Sequence, residues 1–298
     1  MPRGFKRFRH ALEVAGVRAA LWIAGRLPLG AACAVGAGIG TLAYAVGIRR
    51  RVAVENVRRV LDGDAKRGVA TAIARRSYAN LGRSLMEYSA FARLTPEDIR
   101  GLVRFEHAEH LDRALGAGRG AVLFTGHYGN WELLGAAIAE RGYPIHFLVG
   151  EQTNARVDDV MNDLRRRQGI GIISRSVALK KVLRALKDNQ FVALLADQNV
   201  RTGGVFVDFL GSPASTARGP AMFAVKQGCP IIAVFIRRGR DGRHVASFEA
   251  SLVADPTLEG DDAIRDLTQR YTDLLARAIR REPAEYFWAH RRWKTQPR

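Results

Sequence analysis

Apolar and polar residues alternate in blocks along the second half of the chain, at the lengths of strands and helices. Stretches with the spacing of helices occupy residues 131–141, 155–170, 177–190 and 261–281. Between them lie short apolar segments, rich in β-branched and aromatic residues, that predict buried strands: residues 121–125, 145–149, 191–196 and 230–237. Strands that alternate with helices in this way predict an α/β fold, a mostly parallel sheet flanked by helices on both faces.

The residues before this alternation are predicted to be helical. From residue 51 to about residue 92, apolar side chains recur every three or four positions. A further helix is predicted after Thr95, which can cap its first turn, with Pro96 at the first helical position. Later in the chain, residues 204–211 are predicted as a strand or one arm of a hairpin, and residues 244–253 as a half-exposed strand.

The N-terminal part of the chain combines a basic start with a long uncharged stretch. Residues 27–48 carry no charged side chain and are followed by three consecutive arginines. About 20 residues in a helix cross the hydrocarbon core of a bilayer, so this stretch is long enough. We predict a helical membrane-associating segment at residues 1–50, as an anchor or a hairpin, and an α/β domain at residues 51–298. The high Gly and Ala content leaves two alternatives, an interfacial amphipathic segment and a buried helix of a soluble domain.

The charge balance indicates an anionic partner. The 298 residues carry a formal net charge of +18, which suits an acidic membrane surface, a phosphorylated lipid, an acidic carrier protein or nucleic acid. Nucleic acid is disfavoured because the sequence contains no zinc finger, RNA-recognition motif or basic zipper. Cys33 and Cys229 lie in separate apolar runs and are predicted to be free thiols. The seven histidines are scattered without metal-ligand spacing, so no metal site is predicted.

One histidine stands where α/β proteins place their ligands. His127 follows the predicted strand 121–125 and precedes a predicted helix that Asn130 can cap. Glu132 falls in the first turn of that helix, where the chain can fold back toward His127. We expect Glu132 to accept a hydrogen bond from one ring nitrogen, so that the other nitrogen is free to act as a general base. The alternative is that the helix dipole alone favours Glu132 and that His127 is structural.

Two glycines beside the histidine extend this hypothesis. Gly126 and Gly129 leave room around the backbone, so backbone amides at the start of the helix are expected to approach a developing oxyanion. The residues alone therefore leave two interpretations of this strand end, a catalytic histidine and a structural one.

Several blocks in the same order resemble a known family. The string HYGNWE contains the H-x4-D/E pattern of glycerolipid-type acyltransferases and resembles the bacterial lipid A late acyltransferases, the lauroyl and myristoyl transferases. That family also includes the mycobacterial phosphatidylinositol mannoside acyltransferases. Further similar blocks are ALLADQN at 193–199, GVFVDFLGSPASTARGPAMFA at 204–224 and EPAEYFWAHRRWKTQP at 282–297. The resemblance runs from the N-terminal apolar segment to the end of the chain.

The resemblance implies transfer of a fatty acyl chain to a hydroxyl of a lipid A precursor or related glycolipid. The donor would be an acyl carrier protein thioester, with acyl-coenzyme A as the alternative, and no further cofactor is needed. His127 would be the general base, oriented by Glu132, at the cytoplasmic side of the bacterial inner membrane. The resemblance also assigns substrate-binding residues: Asn130, Arg165, Asp197 and Arg218.

Each of these assignments has a simpler alternative. Arg165, expected to neutralise an oxyanion or a lipid phosphate, lies among three consecutive arginines that suit a solvated helix face. Asp197 suits a turn or a cap, and Arg218 stands among residues that often mark a helix start. In the last block, Trp288 and Trp293 suit either a lipid headgroup interface or a segment packed on the core.

Other functions remain open at this point. Within the same chemistry, the acceptor is alternatively a glycerophospholipid or a phosphatidylinositol mannoside. A different class is a hydrolase or thioesterase that uses water, and another is a non-catalytic membrane scaffold. The sequence lacks a G-x-S-x-G motif, which disfavours a serine hydrolase.

Overall fold

The fold is built on a seven-stranded sheet in the order β1-β9-β8-β2-β5-β3-β4. The computed structural model describes residues 3–61 and 67–297. Neighbouring strands are parallel except β8 and β9, which are antiparallel, and β6 and β7 form a separate antiparallel hairpin. The strands are β1 Val103–Glu106, β2 Ala121–Thr125, β3 Ile145–Val149, β4 Gly171–Ser174, β5 Phe191–Leu195, β6 Gly204–Phe209, β7 Ser212–Ala217, β8 Ile231–Arg238 and β9 His244–Phe248.

Helices cover both faces of this sheet and make two apolar cores. The α-helices are α1 Arg3–Arg26, α2 Leu29–Ala45, α3 Arg50–Val60, α4 Arg67–Ser89, α5 Pro96–Leu102, α6 Glu109–Gly116, α7 Trp131–Glu140, α8 Ala155–Arg167, α9 Ala178–Lys187, α10 Gly219–Gln227 and α11 Gly260–Arg281. Buried residues of α5, α6, α7 and α8 pack on one face of the sheet. Those of α9, α10 and α11 pack on the other face, together with the C-terminal segment.

The predicted α/β class is confirmed, and so are most of its elements. Strands β2 and β3 have the bounds that the apolar segments predicted, and Thr95 caps α5 through its side chain. The predicted helical region from residue 51 to about residue 92 contains α3 and α4, while its residues 62–66 lie outside the described residues. Two strands were not predicted. The four residues of β4 are too few to form a pattern, and β7 reads SPASTA, which lacks the apolar alternation of a strand.

The uncharged N-terminal stretch forms a shorter helix than its length allows. Helix α2 has 17 residues and lies against α4. A Cβ added at Gly36 would stand 2.3 Å from the carbonyl oxygen of Gly82, so the two helices meet backbone to backbone. Within residues 3–61 and 67–297, no single helix has the length and apolar character of a membrane span. Only α2 and α3 together pass that test, and the two are bent by 91°.

The opposite side of α2 is apolar and open. Val35, Ile39, Leu42 and Val46 recur every three or four positions and are 38%, 55%, 62% and 67% exposed. This spacing puts the four side chains on one face of the helix. Helix α2 therefore has a packed face toward α4 and an apolar face that the described chain does not cover.

Candidate active site

His127 and Asp197 are brought together by two neighbouring strands. Strands β2 and β5 are parallel, and Thr125 at the end of β2 is paired with Leu195 at the end of β5. The two residues that follow each strand therefore leave the sheet side by side, at its carboxyl edge. This is the edge where open α/β sheets bind their ligands.

Asp197 holds the histidine through both of its carboxylate oxygens. The distance from His127 Nδ1 to Asp197 Oδ1 is 2.7 Å, and the His127 backbone amide donates to Oδ2 at 3.0 Å. Asp197 is 3% exposed, so water screens its charge little and its attraction to a protonated His127 ring is strong. Because an ionised carboxylate only accepts hydrogen bonds, the contact places a proton on Nδ1.

The other ring nitrogen, Nε2, is then unprotonated and can act as a proton acceptor. Gln198 Nε2 lies 3.2 Å from His127 Nε2 and donates a hydrogen bond to it. The ring edge also contacts Trp131, with 5.0 Å between ring centroids. The His127 side chain is 22% exposed and lines a cleft, so a ligand in that cleft can reach the ring.

The surroundings raise the pKa of His127 above its ordinary value of 6.5. Burial lowers it, but the charge and hydrogen bond of Asp197, together with the charge of Glu132, raise it by more. The pKa of Asp197 falls to about 2, because His127 and its amide outweigh the effect of burial. The pair is thus arranged as a base with a fixed tautomer and a partner that is ionised at neutral pH.

The expected hydrogen bond between Glu132 and the His127 ring is absent, and Asp197 takes that place. Both oxygens of Glu132 accept from Arg165 of α8, at 2.9 Å from Nε and 2.6 Å from Nη2. Glu132 is the second residue of α7, and its side chain is directed across to α8. It acts on His127 through its charge alone.

Arg165 is buried. This position differs from both interpretations drawn from the sequence, a residue that binds an oxyanion or phosphate and a residue on a solvated helix face. It is 8% exposed, and its third contact is from Nη1 to Asn162 at 2.9 Å. The rings of Tyr88 and Phe147 lie 5.8 Å and 6.0 Å from its guanidinium carbon. Arg165 is therefore neither on a solvated face nor free to bind a phosphate, and it forms a buried ion pair that ties α8 to α7.

Both polar groups of the Asn130 side chain are hydrogen-bonded within the protein. Its side-chain oxygen accepts from the Leu133 amide at 3.1 Å, which confirms the predicted N-cap of α7. Its amide group donates to Glu87 Oε2 at 2.7 Å. With 2% of its surface exposed, Asn130 positions the start of α7 from within the core.

The backbone amide of Gly129 does not point to a substrate. It donates to the carbonyl oxygen of Glu285 at 2.9 Å, and the amide of Phe287 donates to the carbonyl oxygen of His127 at 2.9 Å. Gly129 has a φ of +60°, and a Cβ there would lie 1.8 Å from the Ile236 carbonyl oxygen, so the turn requires glycine. The C-terminal segment thus fixes the His127 loop, and the Gly129 amide is not available to an oxyanion.

The same C-terminal segment is packed on the core. Trp288 and Trp293 are 1% and 7% exposed. Of the two interpretations of this block, packing on the core is therefore the correct one. Arg292 is 2% exposed and donates to the Ser215 carbonyl oxygen at 2.8 Å. The two tryptophans therefore do not form a lipid headgroup interface.

The cleft beside His127 has a volume of about 900 Å³. Its wall includes apolar side chains from β3, β5 and α10, namely Leu148, Leu194, Met222 and Phe223. Arg218 also lines it, at the N-terminal end of α10, and forms a salt bridge with Asp261. Of the residues assigned to the site from the sequence, His127 and Arg218 face the cleft, Asp197 stands directly behind His127, and Asn130, Glu132 and Arg165 are buried.

Comparison with known proteins identifies the family of the chain. The sequence model of the bacterial lipid A biosynthesis acyltransferases matches residues 2–295. The chain belongs to this family.

Named relatives fall in two groups. The chain is 26% identical over 282 residues to the lipid A biosynthesis palmitoleoyltransferase of Escherichia coli, covering 93% of this chain and 89% of that protein. The lauroyltransferase of the same organism is 26% identical over 283 residues, with 93% and 90% covered. A phosphatidylinositol mannoside acyltransferase of Mycobacterium tuberculosis is 29% identical over 215 residues, 70% of this chain and 63% of that protein. The match thus spans about three fifths of the mycobacterial relative.

A buried ionic cluster behind the site was not predicted from the sequence. Glu87 on α4 accepts from His244 Nε2 at 3.0 Å and from Asn130, and it forms a salt bridge with Arg238. Burial raises the pKa of Glu87, but the hydrogen bonds from Arg238 and His244 outweigh it and lower the pKa to about 2. The three charged or titratable partners lie on α4, β8 and β9, far apart in sequence, so no local motif indicates them. Gln198 was overlooked although it stands next to Asp197 in the ADQN block.

Glu87→Gln is expected to lower the free energy of unfolding by about 3–5 kcal/mol, because Arg238 would remain buried without its counter-charge. Since the folded-state pKa of Glu87 lies below the ordinary 4.5, its contribution is complete above pH 4.5 and is lost as the pH falls to about 2. Urea denaturation across this pH range measures both effects. Glu55→Gln, at an exposed pair with Arg51, is the matched control and should change little. Equal stability of Glu87→Gln and Glu55→Gln would contradict the role given to the cluster.

Among the residues that the structure describes, no group of three or more histidine, cysteine or acidic side chains is arranged to hold a metal ion.

Proposed function

We propose that this protein transfers a fatty acyl chain from a thioester to a hydroxyl group of a membrane glycolipid. The observation that carries the proposal is the His127–Asp197 pair, with Nε2 of the ring facing a cleft that has apolar walls. Such a pair can accept a proton from a hydroxyl, and the apolar wall suits an acyl chain. Family membership supports the same chemistry, and the lipid A transferases named above support a lipid A precursor or related glycolipid as acceptor.

His127 is the general base of the proposed reaction. Its Nε2 takes the proton from the acceptor hydroxyl, at the position now occupied by the Gln198 amide group. The oxygen attacks the thioester carbonyl, the carbon–sulfur bond breaks, and the departing thiolate takes the proton from His127. Asp197 stabilises the protonated ring during this cycle and keeps its tautomer fixed. Glu132 adds negative charge from its buried pair with Arg165 and anchors α7 to α8.

The donor in this proposal is an acyl carrier protein thioester. Acyl carrier proteins are acidic, and the net charge of +18 favours association with an acidic partner. Acyl-coenzyme A is the alternative thioester. A comparison of kcat/KM for the two donors at equal chain length separates them, and a tenfold preference for acyl-coenzyme A would overturn the choice of carrier protein.

Mass spectrometry of membrane lipids tests the function. Cells that produce the protein should contain a glycolipid heavier by one acyl chain, which cells without the gene lack. Purified protein, given an acyl thioester and that glycolipid, should form the same product. Release of free fatty acid without an acylated lipid would instead identify a thioesterase, and no product in either assay would indicate a scaffold.

We also propose that the open face of α2 lies on the cytoplasmic surface of the inner membrane. The support is the row of exposed apolar side chains on that face, together with the basic residues that flank the helix. This arrangement holds the protein at the interface without requiring α2 to cross the bilayer, since α2 has only 17 residues.

The double variant Ile39→Asp/Leu42→Asp is expected to bind anionic vesicles about 10²-fold more weakly than the wild type, because two apolar side chains would no longer be buried in the lipid. Both residues are exposed, so the fold should be retained. Vesicle sedimentation measures the binding. Val253→Asp, at a 59% exposed apolar side chain outside this face, is the control. An unchanged double variant, or an equal loss in Val253→Asp, would place the contact elsewhere.

A further inference from the structure

The cleft beside His127 has a strongly basic part. Arg175, Lys180, Lys181 and Arg218 all line it, and none of the described residues that line it is acidic. Four cations in one concave site raise the local positive potential more than the same charges spread over a convex surface. The proposed base chemistry at His127 makes no use of these side chains.

Two lysines of the cleft have no salt-bridge partner among the described residues, and Arg218 has an unpaired nitrogen. On α9, Arg184 lies outside the cleft and is paired with Asp188, whereas Lys180 and Lys181 make no salt bridge in the described part of the chain. Arg218 is paired with Asp261, but its buried Nε has no hydrogen-bond partner. A buried donor without a partner is costly, and a bound anion would satisfy it.

Two helix starts reinforce the charge of these side chains. The first residues of α9 and of α10 line the cleft, and neither helix has an acidic residue in its first turn. The N-terminal end of a helix carries a partial positive charge that favours a bound phosphate. The same region therefore offers both cationic side chains and the positive ends of two helix dipoles to an anion.

We infer that the basic part of the cleft, formed by Arg175, Lys180, Lys181 and Arg218, binds a phosphate group of a substrate whose reacting atoms lie at His127. This inference rests on the proposed function, because the thioester arm of an acyl carrier contains a phosphodiester and a glycolipid acceptor can carry a sugar phosphate. The binding chemistry is the same for both sources. Bound there, the phosphate would hold the reacting group of either substrate in the half of the cleft next to Nε2.

Binding of small ligands tests the site without any acyl transfer. The first pair of probes is 4′-phosphopantetheine and pantetheine, and the second is glucosamine 1-phosphate and glucosamine. Titrations followed by NMR should show that the wild-type protein prefers the phosphorylated member of at least one pair. A preference in the first pair assigns the site to the donor, and a preference in the second assigns it to the acceptor. Equal binding within both pairs would overturn the inference.

The double variant Lys180→Ala/Lys181→Ala should bind the preferred phosphorylated probe about tenfold more weakly and its unphosphorylated partner unchanged. Lys187→Ala, at an exposed lysine on the same helix outside the cleft, is the matched control and should bind like the wild type. The preference should also weaken as salt is raised, since exposed charges are screened over about 8 Å at physiological ionic strength. A double variant that binds as tightly as Lys187→Ala would overturn the assignment. Because binding is the readout, a failure of the proposed transferase function would be seen separately, as a wild type that binds phosphate but transfers no acyl group.

Discussion

His127→Ala is expected to reduce acyl transfer by about 10²–10⁴-fold while the protein remains folded. Within the described residues, the His127 side chain is the only one that combines an unprotonated ring nitrogen toward the cleft with an ionised carboxylate behind it. Its removal takes away the proton acceptor but leaves the backbone amide at position 127, which donates to Asp197. Asp197 therefore keeps the hydrogen bond from this amide, and the loss of stability should be modest.

Two measurements separate chemistry from folding in this variant. Single-turnover transfer to the glycolipid acceptor measures the rate, and urea denaturation measures the stability. His110→Ala, at a partly exposed histidine on α6, is the matched control and should retain full activity. Near wild-type turnover by folded His127→Ala protein would disprove the assignment of the base.

The position of this histidine could be predicted from local sequence alone. An apolar strand, a turn with glycine and a capped helix follow one another within about 20 residues, and each has its own short-range signal. These signals put His127 at the carboxyl end of a strand, and the structure places it there. Asn130 could be identified as a helix cap for the same reason, because capping is a contact between near neighbours.

The partner of the histidine could not be predicted in this way. Asp197 lies 70 residues from His127 and reaches it only because β5 is the neighbour of β2. Strand order in a parallel sheet is set by the packing of the crossover helices, which leaves no mark in the spacing of residues along the chain. Glu132, close in sequence, was the natural expectation, but its own helix turns it toward Arg165. The resemblance to the acyltransferases did place Asp197 in the site, but it did not indicate the hydrogen bond between Asp197 and His127.

The same limit applies to the N-terminal stretch. Its apolar composition predicts a helix correctly, but composition cannot tell a face that packs on protein from a face that meets lipid. The packed face of α2 is set by the close approach of Gly36 to Gly82, a contact between residues far apart in sequence. The division into residues 1–50 and 51–298 stays a prediction.

Asp197→Asn and Glu132→Gln are expected to fail in different ways, although each replaces a buried carboxylate by its amide. In Asp197→Asn, the amide group can donate to Nδ1, which favours a proton on Nε2 and leaves no base toward the cleft. Transfer should fall by about 10²–10⁴-fold. In Glu132→Gln, the His127–Asp197 contact remains, but Arg165 loses its counter-charge in a buried site. The main result should be a loss of about 3–5 kcal/mol in the free energy of unfolding.

The pH dependence of transfer gives the sharper distinction between the two carboxylates. The wild-type rate should rise with pH through the raised pKa of His127, above 6.5, because only the neutral ring accepts a proton. Glu132→Gln removes one of the charges that raise this pKa, so its rate should rise at a lower pH while the plateau stays within about tenfold of the wild type. Asp197→Asn should instead lower the rate across the whole pH range, including the maximal rate that is reached at high pH. If Glu132→Gln is stable but its maximal rate falls as far as that of Asp197→Asn, Glu132 is the direct partner of the base. If Asp197→Asn keeps a normal maximal rate, Asp197 has no part in the mechanism.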